Sequence, residues 1–297
     1  MISRITRLLP TRPLHNAPSI VTEPQLWDRQ RLRLLSFNMQ AGMGMDAAHH
    51  YFTRSLRNVL PHRRQGEQLS RIAELIGRYD VVALQEVDGG SLRSGYTHQL
   101  AHLAERAAFP WWFQQVNRDL GHFGQFSNGL LSRQSPQAAE AHALPGLKGR
   151  GIIVSRFGEG DNSLMVLNVH LALSIKARFH QFAYIHSVIK DAPHVVLMGD
   201  LNCTHEELRR SPIGDRRWQW LEKELLTYPS WKPEKQIDHI LVSDQLHVHS
   251  VQVLDDRLSD HRPLAVEIDL PVGLYLPPEG LTLPPVDLLL PDTQDVS

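Results

Sequence analysis

The chain has one cysteine, Cys203, in 297 residues. A single thiol excludes an intramolecular disulfide framework and a cysteine-rich zinc site, and such usage fits a reducing compartment. Long apolar runs are also missing, and no stretch approaches the ~20 apolar residues that span a bilayer. The opening "MISRITRLLPTRPLHNAPSIV" is basic, but Arg7, Pro10, Arg12 and Pro13 break its apolar run, and no small-residue cleavage site follows. That argues against a secretory signal and makes a cytoplasmic protein the expectation. An excess of charge of one sign is lacking as well. Lys and Arg number 31 against 32 Asp and Glu, so the whole molecule carries no polybasic signature for nucleic acid or an anionic membrane. A local basic patch is all that this balance leaves open. What is present, 42% hydrophobic residues and 21% charged, supplies the core of a soluble globular protein.

Residues 1–30 are punctuated by Pro, Thr and Asn without periodicity and read as an irregular leader. Residues 271–297, "PVGLYLPPEGLTLPPVDLLLPDTQDVS", repeat proline too often for a regular helix or a central strand. This tail is expected to lie over the domain or to be partly disordered, with a peripheral membrane or partner contact as an alternative. Between them, residues 31–270, short Val-, Ile- and Leu-rich runs end in polar residues: "LRLLSFN" at Asn38, "DVVALQE" at Glu86, "SLMVLNVH" at His170, and "HVVLMGDLN" at Asp200 and Asn202. "KQIDHILVS" carries Asp238 among apolar neighbours, and "PLAVEIDL" follows directly on Asp260 and His261. These are buried-strand candidates. Apolar stripes at helical spacing alternate with them: Leu69, Ile72, Ala73 and Ile76; then Tyr96, Leu100, Leu103, Ala104 and Ala107; then Phe179, Phe182, Ile185 and Ile189. Buried strands interleaved with helices argue for a layered α/β fold.

The strand ends carry a specific inventory: the carboxylates Glu86, Asp200 and Asp260, the amides Asn38 and Asn202, and the imidazoles His170 and His261. Oxygen donors suit hard divalent cations such as Mg²⁺ or Mn²⁺, while imidazoles and amide N–H groups suit phosphate oxygens. Together they point to metal-assisted attack on a phosphate ester.

"LSFN", "LQEV", "SNGLLSR", "NVHL", "GDLN", "IDHILVS" and "SDHRP" occur in the order found in the endonuclease/exonuclease/phosphatase superfamily, which the chain resembles over roughly residues 31–270. The resemblance implies the deoxyribonuclease I fold, a four-layer α/β/β/α sandwich with two mixed β-sheets, and a site at one open edge. It implies that Glu86 is a metal ligand, that Asp260 is a metal-site carboxylate, and that Asn38 holds the metal or the scissile phosphate. Asp200 would orient or deprotonate the attacking water, while Asn202 and His170 would contact the phosphate. His261 would contact the phosphate or act as general base, oriented by Asp238, and Asn128 would be a site-proximal amide. Mg²⁺ or Mn²⁺ would be the cofactor.

One position departs from the pattern. The abasic-site nuclease branch places an aspartate two residues after the first-strand asparagine, and this chain has Gln40. "FNMQAG" and "HLALSIKARFHQ", with Arg178 and Gln181, resemble small bacterial members and the sphingomyelinase-like branch more closely. The 17 histidines suggest zinc at first sight, but His49, His50, His180, His186, His247 and His249 show no zinc spacing with nearby carboxylates. They read as surface or helix residues. Cys203 lacks a flanking base and reads as a packed thiol. Trp111, Trp112, Trp218, Trp220 and "TYPSWKP" read as core or interface before substrate stacking. Lys148 and Arg150 in "KGRGIIV" are either phosphate contacts or a solvated loop.

The expectation is a monomeric phosphodiester hydrolase that works by activated-water attack without a covalent intermediate. A nuclease comes first on the breadth of the family. A phospholipid or sphingomyelin-type phosphodiesterase, or a phosphoinositide phosphatase, is the alternative. A basic groove would favour nucleic acid as partner; an apolar rim would favour a lipid headgroup. A non-catalytic binding module on the same fold would lack a ligand or a histidine, and none of the main positions is missing.

Overall fold

A computed structural model describes residues 15–16, 31–42, 64–220, 224–271 and 274. Two mixed sheets carry the architecture. In the first, β1 (His15–Asn16), β4 (Trp111–Asp119), β5 (Gln125–Ser132), β3 (Val81–Asp88), β2 (Arg31–Asn38), β12 (Leu264–Asp269) and β11 (Val248–Val253) lie side by side in that order. In the second the order is β10 (Asp238–Val242), β9 (His194–Asp200), β8 (Leu164–His170), β7 (Gly151–Phe157) and β6 (Ala138–Ala143). The leader, read as irregular, thus contributes a two-residue strand on β4. The tail, with its alternative of a membrane or partner contact, lies outside the described residues except for 271 and 274.

Side-chain alternation sorts each strand between two layers. Leu32 and Leu34 of β2, Val81 and Ala83 of β3, Val166 of β8, and Val196 and Met198 of β9 meet in a core between the sheets. The intervening residues face helices. Leu35, Phe37, Val82 and Leu84 pack under α1 (Arg64–Ile76) and α2 (Gln99–Arg106). Met165, Leu167, Val195 and Leu197 pack under α3 (Ile175–Ile189). Helix, sheet, sheet and helix therefore form the four expected layers. The stripe Leu69, Ile72, Ala73, Ile76 is fully buried on α1. Two stripe residues do not follow the expectation. Tyr96 precedes α2 in the left-handed region (φ 63°) and is 62% exposed, and Phe179 is 55% exposed on α3.

One parallel pair in each sheet positions the site. β2 and β3 run parallel through the α1 crossover, and β8 and β9 through α3. Their carboxyl ends open at one pole, the usual ligand edge of an open α/β sheet. Asn38 is in register with Gln85, and His170 with Asp200. Antiparallel β10 starts there too, with Asp238 opposite Asp200. Among the described residues no helix is long and apolar enough to cross a membrane.

Candidate active site

On the inward face of these strands the apolar core gives way to polar side chains toward the open pole. The first step is a buried amide layer between the sheets. Gln85 Nε2 donates to Asn168 Oδ1 at 2.8 Å, and Asn168 Nδ2 donates to the carbonyls of Leu84 (3.0 Å) and Gly129 (2.7 Å). This cross-sheet seam fixes the two parallel pairs relative to each other, because a buried amide that loses its partner is costly.

Immediately beyond it lie Asn38, His170, Asp200, Asp238 and His261, all buried. Asn38 Nδ2 donates to Asp200 Oδ2 at 3.1 Å and to Glu86 Oε1 at 3.4 Å. The amide expected at the metal thus turns its nitrogen to both carboxylates, while its Oδ1 accepts the Gln40 N–H. His170 Nε2 stands 3.4 Å from Asp200 Oδ2, and His261 Nε2 4.0 Å from the same oxygen. On its other side His261 Nδ1–H donates to Asp238 Oδ2 at 2.8 Å, and that oxygen also accepts the Thr227 hydroxyl at 2.5 Å.

Glu86 reaches this group through a β-bulge. Leu84 pairs with Gly129 and Val87 with Ser127, so Gln85 and Glu86 together oppose Asn128, with Glu86 in the left-handed region (φ 57°). Bulges re-aim side chains in this way beside functional sites. Asn202 also adopts a positive φ (51°); its backbone N–H donates to Asp200 Oδ1 and its Nδ2 to the Leu171 carbonyl. Asn128 Nδ2 donates to the Gly151 carbonyl, and its buried Oδ1 has no partner among the described residues. Asp260 accepts the Ser259 hydroxyl at 3.1 Å, and its charge acts on His261 and Tyr228.

The electrostatics follow from this crowding. Burial and the neighbouring Asp238 push the Asp200 carboxyl up to about 7. Burial disfavours the charged form of His261, but Asp238, Asp200 and Asp260 outweigh it and raise the imidazole to about 10. Burial, with Arg150 and His261 nearby, holds His170 well below the ordinary histidine value. Opposite charges close by favour ionised forms and like charges oppose them.

Several contributors lie outside the strand-end inventory. Arg150 is no solvated loop residue: burial lowers its guanidinium, while Asp200 and Glu86 raise it. It lines a cleft of about 200 Å³ with Glu86, Asn128, Lys148 and His170. The Tyr228 ring centroid lies 4.9 Å from that of His261. Arg178 clamps the loop after His170, donating to the carbonyls of Ala172 (3.3 Å) and Leu173 (2.5 Å) and to Glu207. Glu207 belongs to the Thr204 capping box of α4 (His205–Arg209), a T-x-x-E pattern visible in the sequence. Cys203 is buried, with its thiol pushed up to about 12. His247 and His249, read as lacking a carboxylate, meet Asp269, which accepts from His249 Nε2 at 2.6 Å.

Hard-cation chemistry fits Glu86 better than the Asp200, Asp238 and His261 cluster. Among the described residues its half-buried carboxylate takes one long side-chain hydrogen bond, from Asn38, so its lone pairs are free for a cation. In the cluster, Asp238 and His261 are already committed to each other.

Comparison with known proteins agrees with this fold. Residues 35–261 match the model of the Endonuclease/Exonuclease/phosphatase family. No curated protein sequence matches the chain. An endonuclease/exonuclease/phosphatase from Beutenbergia cavernae is similar in structure, with 20% identity, a TM-score of 0.61, and coverage of 82% of this chain and 72% of that one. A humanized D. rerio TDP2 has 17% identity and a TM-score of 0.57, with 81% and 99% covered. The mannosyl-6-phosphatase of Bacteroides thetaiotaomicron has 19% identity and a TM-score of 0.56, with 80% and 99% covered. At these identities the structures speak for the fold, and the family model spans most of the chain. The protein belongs to the endonuclease/exonuclease/phosphatase family and is a phosphoesterase hydrolase.

Proposed function

We propose that this chain hydrolyses phosphodiesters by direct attack of water, with a divalent cation held at Glu86. One observation carries the reading: a single oxygen, Asp200 Oδ2, is shared by Asn38 Nδ2 at 3.1 Å, His170 Nε2 at 3.4 Å and His261 Nε2 at 4.0 Å. A buried carboxylate ringed by three nitrogen groups suits a base beside a cradle for phosphate oxygens.

Asp238 occupies Nδ1–H of His261, so Nε2 is the atom offered to substrate. Surrounded by carboxylates, His261 stays protonated and donates to a phosphate oxygen as negative charge builds. Asp200, raised toward neutrality, accepts a proton from the attacking water. Neutral His170, Asn202 and Asn128 orient the phosphate, and Arg150 offsets its charge. Glu86, with Asp260 as the second carboxylate, would hold the cation, and Asn38 would keep the carboxylates apart from one another. When bound, Mg²⁺ or Mn²⁺ neutralises phosphate charge and polarises the P–O bond.

Nucleic acid is the first diester class to test, on the breadth of the family, and lipid headgroup is the second. A panel of plasmid, single-stranded DNA, RNA, sphingomyelin, phosphoinositides and a chromogenic diester, each with Mg²⁺, Mn²⁺ or chelator, separates them. His261→Ala is the control. Full activity in that variant, or indifference to chelator, overturns the mechanism.

A further inference from the structure

Among the described residues every exposed large hydrophobic side chain lies at the catalytic pole. Tyr96 is in the β3–α2 loop, and Leu120 and Phe123 are at the β4–β5 tip. Leu147 is in the β6–β7 loop, while Leu173, Ile175 and Phe179 follow His170 into α3. Exposures run from 44% to 75%. Scattered single hydrophobics are ordinary on a protein surface, but their confinement to one pole is not.

These loops touch in sequence around the cleft. The turn at Leu92–Ser94 packs on the turn at Gly121–Phe123. A Cβ added at Gly149 would lie 3.5 Å from Arg118 Cβ, and one at Gly146 would lie 3.4 Å from Ala177 Cα. The apolar tips therefore form one crescent, with the cleft beneath it. Its charge is one-sided, although the whole chain is nearly neutral. Segments 118–124, 144–150 and 173–177 carry Arg118, Lys148, Arg150 and Lys176 against a single acid, Asp119, while the buried Arg178 that follows is paired with Glu207. Leu147–Lys148 and Ile175–Lys176 set an apolar side chain directly beside a cation, and all four are exposed.

We infer that this crescent docks the protein on a phospholipid surface containing anionic headgroups and presents the cleft to a lipid phosphodiester. Separate apolar tips can enter the boundary between headgroups and acyl chains, while neighbouring lysines meet the anionic layer. A nucleic-acid backbone would match the cations but would leave Leu120, Leu147, Leu173 and Ile175 without a partner. The substrate class rests on the phosphodiesterase reading above; the docking surface stands apart from it.

The test uses the full chain with vesicles of phosphatidylcholine and phosphatidylglycerol. The triple variant Phe123→Ser, Leu173→Ser, Ile175→Ser changes only exposed side chains, and its thermal midpoint and turnover of a soluble chromogenic diester should match the parent. Flotation affinity should fall about tenfold or more, and turnover of vesicle-borne diester should fall in parallel. Lys176→Glu should weaken flotation at low salt and less so at high salt. A parent that does not float overturns the inference. So does a triple variant that floats unchanged, which would move the contact to the tail, or one that instead loses single-stranded DNA binding. Flotation as expected with no diester hydrolysed would leave the surface and remove the chemistry; hydrolysis without flotation would do the reverse.

Discussion

Asp238 Oδ2 accepts the Nδ1–H of His261 at 2.8 Å, and both side chains are buried. One carboxylate therefore sets the tautomer of the imidazole, its ring orientation and its charge. Asp238→Asn keeps the shape but offers a neutral partner that can present N–H to Nδ1. The expected result is a fall in kcat of roughly 10³-fold with KM little changed, because an analogous substitution in an Asp–His pair acts on the reacting state. Steady-state kinetics on a soluble chromogenic diester would check this, with circular dichroism as the control for folding. Unchanged kcat would remove Asp238 from the mechanism.

Glu86 stands in the left-handed region at a bulge, with a single long side-chain hydrogen bond among the described residues. Glu86→Gln preserves the size and the contact with Asn38 but removes the charge a hard cation requires. The Mg²⁺ or Mn²⁺ concentration for half-maximal activity should rise by roughly 10- to 100-fold, the range for weakened metal sites. Calorimetric titration with Mn²⁺ would give the same shift without turnover.

That bulge also shows where sequence reading stops. The strands and the placing of Asn38, His170, Asp200 and His261 at or beside strand ends were legible, because apolar runs and their order along the chain are local properties; the four layers came from the resemblance. Strict alternation, however, would turn Glu86 toward α1 and α2, and only the extra residue opposite Asn128 re-aims it. Its place at the end of an apolar run singled it out, and only the resemblance implied a metal role. Thr227 behind Asp238 and the Gln85–Asn168 seam depend on contacts 11 and 83 residues apart in the chain, which no local pattern encodes. Tyr96 and Phe179 were misread because helical spacing marks a stripe without showing that a layer covers it.

Gly199 joins the apolar part of β9 to Asp200, with φ 148°. A Cβ there would meet the Val169 carbonyl oxygen at 1.9 Å, on the neighbouring strand that ends at His170. Backbone cannot yield as a side-chain tip can, so Gly199→Ala combines strain with the separation of two site-bearing strands. A loss of about 3 kcal/mol in chemical denaturation is expected. Activity should fall even at temperatures where the variant stays folded. A variant as stable as the parent would show that β8 and β9 adjust freely.

His239 lies next to Asp238 but points into the opposite layer, where its Nε2–H donates to the Cys203 carbonyl at 2.8 Å. Burial lowers this imidazole to about 4, although the Cys203 carbonyl and Asp238 pull it upward; His205 adds to the lowering. The folded protein therefore holds His239 neutral in a range where the unfolded chain, titrating near 6.5, binds a proton. Stability from this residue is complete above the unfolded value and is lost as pH falls from about 6.5 to about 4. The full loss is on the order of 3 kcal/mol. His239→Gln keeps a donor for the carbonyl and cannot titrate. In urea denaturation between pH 7 and 4 it should show a shallower decline than the parent. Some slope should persist, because His170 is also held neutral by burial and contributes with the same sign. Parallel curves for parent and variant would show that His239 takes up its proton in the folded state as readily as in the unfolded one.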